Sequence, residues 1–134
     1  MNQITKDNLS TAMHGEAFAY AKYMLFAERA RKAGNLKLAQ LLEETAKEEL
    51  LEHFAEQAEL AGIVRSDIDN LEDAIAGESY EIETMYRDFR DQAFAAGEKA
   101  AGDRFEEIRR DEMKHRDAFK EALSRLAKNQ LRAS

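Results

Sequence analysis

Four acidic residues, Glu16, Glu49, Glu78 and Glu112, fall where an amphipathic helix should bury an apolar side chain. Histidines follow two of them on the same faces, His53 four residues after Glu49 and His115 three after Glu112, and Glu81 lies one turn past Glu78. Carboxylates and imidazoles in this combination are the ligands of a carboxylate-bridged two-metal site. A buried carboxylate without a partner costs on the order of several kcal/mol, so a set of them on converging faces calls for cations. Charge points to two ions rather than one. The five carboxylates carry −5, which two divalent cations bring close to neutrality and one leaves strongly negative. Mixed oxygen and imidazole donors suit iron, manganese or zinc, and a bridging, carboxylate-dominated set suits iron or manganese best.

The elements that must position these residues are four helices. A segment over about 5–33 places Leu9, Met13, Glu16, Tyr20, Tyr23, Ala27 and Ala30 on one stripe, and one over 35–61 aligns Leu42, Ala46, Glu49, His53 and Leu60. The third, over 69–96, runs Leu71, Ile75, Glu78, Ile82, Met85 and Phe89, with Glu81 on the adjacent row. The fourth, over 98–128, runs Ala101, Phe105, Ile108, Glu112, His115, Phe119, Ala122 and Leu126. Gly34 and Gly97 are predicted turns, each closing an alanine-rich helix end with a left-handed residue. Gly102 and Asp103 read as a weak interruption of the fourth helix near its start. Counting from the turns tests the site. Glu16 lies 18 residues before Gly34, while Glu49 and His53 lie 15 and 19 after it; Glu78 and Glu81 lie 19 and 16 before Gly97, with Glu112 and His115 15 and 18 after it. Antiparallel hairpins therefore set each group at one height. The halves also repeat at an offset of 62 or 63, Gly15-Glu16 matching Gly77-Glu78, Gly34 matching Gly97, Glu43-Glu44 matching Glu106-Glu107 and His53 matching His115. A single Glu-x-x-His means little, since 18 Glu and 3 His in 134 residues produce roughly 0.4 by chance. The joint pattern on four helices is what carries the metal reading.

Composition agrees with one all-α domain over 1–134, comprising a hairpin at about 5–61, a connector at 62–69 and a hairpin at 70–128. Proline and cysteine are absent, glycine numbers six, and 44 % of residues are hydrophobic. Without cysteine, disulfides, thiolate sites and cysteine nucleophiles are excluded, and a reducing cytoplasmic setting is expected. No apolar run approaches a membrane span. A formal charge of −7 with interspersed acids and bases disfavours nucleic acid as a partner.

One Glu from each of two helices with a Glu–His pair from each of the others is the ferritin-like arrangement of a four-helix bundle. The stretches Gly15-Glu16, Glu43-Glu44-Thr45-Ala46, Gly77-Glu78-Ser79-Tyr80-Glu81, Met85-Tyr86 and Glu112-Met113-Lys114-His115 resemble the di-iron domain of rubrerythrin, over nearly the whole chain. That resemblance implies a peroxide reductase. A diferrous centre would reduce hydrogen peroxide to water and be re-reduced by a donor. It further implies Glu49 and Glu112 as bridging ligands, Glu16 and Glu78 as terminal ligands, and His115 on one iron. Glu81, the carboxylate that sets the family apart from ferritin and bacterioferritin, would exchange with His53 on the other. Tyr23 and Tyr86 match tyrosines lining the site, a position that core packing alone explains equally well. Rubrerythrins proper carry a four-cysteine rubredoxin domain, and these 134 residues contain no cysteine. Electrons are then expected from a separate protein, a rubredoxin-like protein or a flavin reductase.

The second helix departs from the family pattern by one residue, since Leu50 and not a carboxylate stands three before His53. A one-residue insertion is commonly absorbed as a π-bulge. One is predicted between Ala46 and His53, with Glu52 as the rival ligand to His53. His14 lies off the stripe and reads as a solvated residue. Phe18, Leu25 and Phe26 form a second apolar strip, suited to packing or a dimer face. Ferritin-like topology runs the second and third helices parallel, which requires roughly 32 Å of return path. Seven extended steps reach about 24 Å. Exchange of hairpins in a domain-swapped homodimer resolves this, as does an all-antiparallel bundle with a short loop. Beside the peroxide reductase stand a ferroxidase that handles iron, a metal-free interaction module and an oxygenase.

Overall fold

The computed structural model describes residues 1–133, with side chains through Asn129. Its described residues form four helices and no strand. α1 spans Gln3–Lys32. α2 (36–61) is built from Leu36–Glu48, a π-helical segment Glu49–Phe54 and Ala55–Ala61. α3 (67–95) likewise joins Asp67–Tyr80, a π-helical segment Glu81–Met85 and Tyr86–Ala95, and α4 spans Lys99–Ala133. The all-α, ferritin-like fold class expected from the stripes is the one observed. The chain divides into two compact units, Met1–Val64 and the remainder from Arg65, each a helical hairpin.

Local chemistry explains the helix ends. The Asn2 side chain caps α1 by accepting from the Thr5 N–H at 2.8 Å. α3 begins at Asp67, two residues before the predicted start, because Ser66 caps it by accepting from the Asp69 N–H. Asp67 and Asp69 then sit in the first turn, where the helix dipole favours negative charge. Gly34, Gly62 and Gly97 have φ of 80°, 66° and 78°. Each closes a Schellman turn, in which the N–H of the following residue (Asn35, Ile63, Glu98) bonds the carbonyl of Ala30, Ala58 or Ala93.

Alanines fill the seam of the first hairpin. Ala27, Ala30, Ala39 and Ala46 are buried, so α1 and α2 approach closely near their turn. Arg31 reaches across to Glu43. In the second hairpin Arg90 Nη1 bonds Glu106 Oε2 at 2.7 Å. The repeated Glu-Glu stretch thus serves an interhelical ion pair in both halves. Phe18, Leu25 and Phe26 are exposed.

Gly102 corrects the sequence reading. It does not interrupt α4, which is continuous from Lys99; it is buried because the Phe94 ring lies against it. A Cβ there would overlap the edge of the Phe94 ring. Replacing Gly102 with alanine gains up to about 1 kcal/mol of helix propensity and incurs about 1–3 kcal/mol of overpacking. Gly102→Ala is therefore expected to lower stability by about 1 kcal/mol. In a Phe94→Ala background the same change should become stabilising. Urea denaturation of the four variants measures both, and an unchanged sign would contradict the ring contact as the reason for the glycine.

Candidate metal centre

In the first hairpin, α1 presents Glu16 and the π-helical segment of α2 presents Glu49 and His53. His53 Nδ1 stands 2.8 Å from Glu49 Oε2 and 3.9 Å from Glu16 Oε2. The second hairpin reproduces this, with His115 Nδ1 2.7 Å from Glu112 Oε2 and 3.9 Å from Glu78 Oε1. In each group the donor atoms lie within 4.8 Å of one another. The same geometry arises from two spacings, because a π-turn takes in an extra residue. Four residues from Glu49 to His53 then cover the place that three cover from Glu112 to His115.

The π-helical segments also account for the slip in the internal repeat. The predicted bulge between Ala46 and His53 is observed at Glu49–Phe54. A second, at Glu81–Met85, takes up the extra residue that separates Glu78 from Gly97 by 19 where Glu16 and Gly34 are 18 apart. The sequence carried that second signal in the change of offset from 62 to 63.

The charges in these groups are poorly reconciled among themselves. Glu16 and Glu49 are close enough to share a proton, which lifts the Glu16 carboxyl and lowers that of Glu49, while Glu49 also holds the His53 imidazole above its ordinary value. Burial raises Glu78, and the Glu112 carboxylate close beside it raises it further. Glu78 Oε2 is buried with no hydrogen-bond partner. Carboxylates pressed together, with a buried oxygen left unsatisfied, fit a cation and are costly without one. The donor set, oxygen with one imidazole per group, fits iron or manganese.

Glu81 stands beside the second group. It is half-buried, and its carboxyl is raised first by burial and then by the Glu112 charge. Tyr86 is half-buried, its ring edge-on to Phe89 at 6.5 Å and 6.2 Å from Phe105, and burial followed by the Glu81 charge keeps its phenol protonated. Tyr23 is half-buried, with its ring 6.4 Å from Phe26. Glu52 is exposed and outside the first group, and exposed His14 has Nδ1 2.7 Å from the Ser10 carbonyl oxygen. Gln57 is a residue that the motif search passes over. It lies near Glu16 and lowers its pKa slightly, and its own buried Oε1 has no partner. Its spacing, four after His53 on the same stripe, was the available signal.

The sequence model of the Rubrerythrin family matches residues 49–123, more than half of the chain. This chain belongs to the rubrerythrin family. The match begins at Glu49 and takes in Glu78, Glu81, Glu112 and His115. Among curated relatives, Rubrerythrin-2 of Clostridium acetobutylicum is 29 % identical over 96 % of this chain and 77 % of its own length. Rubrerythrin of Porphyromonas gingivalis is 34 % identical over 83 % of this chain, which spans 62 % of that relative. Nigerythrin of Nitratidesulfovibrio vulgaris is 34 % identical over 72 % of this chain and 54 % of its own length. Rubrerythrins are ferritin-like di-iron proteins, and both Glu–Glu–His groups of this member could bind metal. No described helix is long and apolar enough to cross a membrane.

Proposed function

We propose that Glu16, Glu49, His53, Glu78, Glu81, Glu112 and His115 hold two iron ions, and that the protein reduces hydrogen peroxide to water with electrons from a separate donor protein. The observation that carries this reading is Glu81, a half-buried carboxyl with a raised pKa beside an already complete Glu–Glu–His group. When bound, two ferrous ions supply the electrons of H2O2 + 2 e⁻ + 2 H⁺ → 2 H2O, and the donor protein restores them. The chain's own residues handle protons. In the metal-free chain the Glu16–Glu49 pair holds one between its oxygens, and that proton and the one on His53, kept basic by Glu49, must leave before these groups can bind metal. Glu81, raised by burial, can hold a proton next to Glu112 when it is not on the metal, and gives that proton up when it becomes a ligand. Tyr86 contributes a protonated phenol, its ring packed with Phe89 and Phe105.

The same reading includes a homodimer formed by hairpin exchange. The link from Ala61 to Asp67 has six steps, reaching about 21 Å when extended, against a return path of roughly 30 Å. This supports exchange. Light scattering should give twice 15.3 kDa, and a monomeric mass with two irons bound would rule the exchange out.

Mixing ferrous-loaded, oxygen-free protein with peroxide or with dioxygen in a stopped-flow instrument tests the reaction. Oxidation by peroxide should be faster by about tenfold or more, a barrier difference of about 1.4 kcal/mol. Preference for dioxygen with turnover of free ferrous ion would identify a ferroxidase instead.

A further inference from the structure

The π-turn at Glu81–Met85 deprives one main-chain carbonyl of its helical donor. The N–H of Tyr86, which an α-helix would give to Ile82 O, bonds Glu81 O. Ile82 is buried, so water is a poor substitute. Arg109 of α4 supplies the donor, its Nε lying 2.7 Å from the Ile82 carbonyl oxygen. The guanidinium is itself held, with Nη1 3.6 Å from Glu106 Oε2, the oxygen that also takes Arg90.

The first hairpin provides an internal control. At the repeat offset of 63, Arg109 corresponds to Ala46 and Arg90 to Ala27, both buried alanines, and α1 has no π-turn. The arginine and the π-turn in the first helix thus occur together, in the hairpin that carries the additional carboxylate. We propose that Arg109 is a positioning residue: by satisfying the Ile82 carbonyl it keeps the π-turn in place, and so sets the direction of Glu81 relative to Glu78, Glu112 and His115. Without the guanidinium, the carbonyl regains a donor when Tyr86 N–H returns to Ile82 O. The excess residue then moves along the helix and turns Glu81 by roughly 100° relative to its neighbours.

The inference rests on the reading of Glu81 as a metal ligand, and the test separates the two. In metal-free full-length protein, hydrogen exchange read by mass spectrometry over residues 82–90 should be about tenfold faster in Arg109→Met than in the parent. Arg109→Lys, which keeps a donor of similar reach, should stay near the parent value and covers the case of poor folding in the methionine variant. Arg90→Met breaks the ion pair without touching the carbonyl and should leave these amides unchanged. Titration with cobalt(II) alone, followed by its visible absorption, should show affinity about tenfold weaker in both Arg109→Met and Glu81→Ala, at the low end of the 10–100-fold loss seen when a residue supporting a metal ligand is removed. Unchanged exchange in Arg109→Met, or equal acceleration in Arg90→Met, would overturn the role of Arg109. So would weakened cobalt binding in Glu81→Ala alone. If neither variant weakens cobalt binding while exchange is faster, Glu81 is not a ligand and the positioning role falls with it.

Discussion

A chain carrying Glu49→Ala and Glu112→Ala together is expected to lose its bound metal altogether. Each of these residues accepts the contact of its group's histidine, at 2.8 Å and 2.7 Å, and each also stands against the second carboxylate of its hairpin. Removing both leaves Glu16 with His53, and Glu78 and Glu81 with His115, and in each remnant the histidine Nδ1 stands 3.9 Å from the Glu16 or Glu78 carboxylate, with no carboxylate left in direct contact with it. The loss in affinity should exceed about 100-fold, the upper end of what removal of a mere supporting residue produces. Metal analysis after gel filtration of iron- or cobalt-loaded protein reads it directly. Two ions retained per chain would mean that the Glu–Glu–His groups are not where metal binds.

The second large effect has opposite signs with and without metal. Glu78→Gln should stabilise the metal-free protein by about 1 kcal/mol, in the range that functional-site substitutions often return. The parent buries a Glu78 oxygen with no hydrogen-bond partner and presses the carboxyl against Glu112. An amide of the same shape carries no charge and can donate to the Glu112 carboxylate. At this chain length the gain corresponds to roughly 3–5 °C in Tm. The pH dependence follows from the raised Glu78 pKa. Stability linked to its protonated form is fully present below the unfolded carboxylate range and is lost as pH rises through the folded value. The advantage of Gln is therefore present at neutral pH and fades on acidification. Metal reverses the ranking, because a ligand that binds the folded parent adds stability by RT ln(1 + L/Kd), where L is the free metal concentration and Kd its dissociation constant. Calorimetric scans with and without cobalt should cross, and a variant less stable than the parent in both conditions would show that Glu78 is held well by the protein alone.

Much of the site was legible before any coordinates. Acids at core positions, with heights counted from Gly34 and Gly97, brought Glu16, Glu49 and His53 to one level and Glu78, Glu112 and His115 to another. The structure assembles those same trios. The Glu49–His53 spacing foretold one π-helical segment, and the change of offset contained the second. Gly102 was misread because glycine in a helical stretch has two explanations that sequence does not separate. It can be a weak link, or it can leave room for a neighbour, and the Phe94 ring decides for the latter.

Periodicity and residue type alone therefore determined the all-α hairpins, their turns and the Glu–Glu–His trios, because helical repeat distance is a local property that a one-dimensional pattern encodes. Tertiary structure alone decided what serves the π-helical backbone and the carboxylates between them. The Ile82 carbonyl finds its donor 27 residues away in Arg109, and Gln57 lies near Glu16 on a different helix. Contacts of this kind depend on the rotation of one helix against another, which spacing along a single helix does not specify.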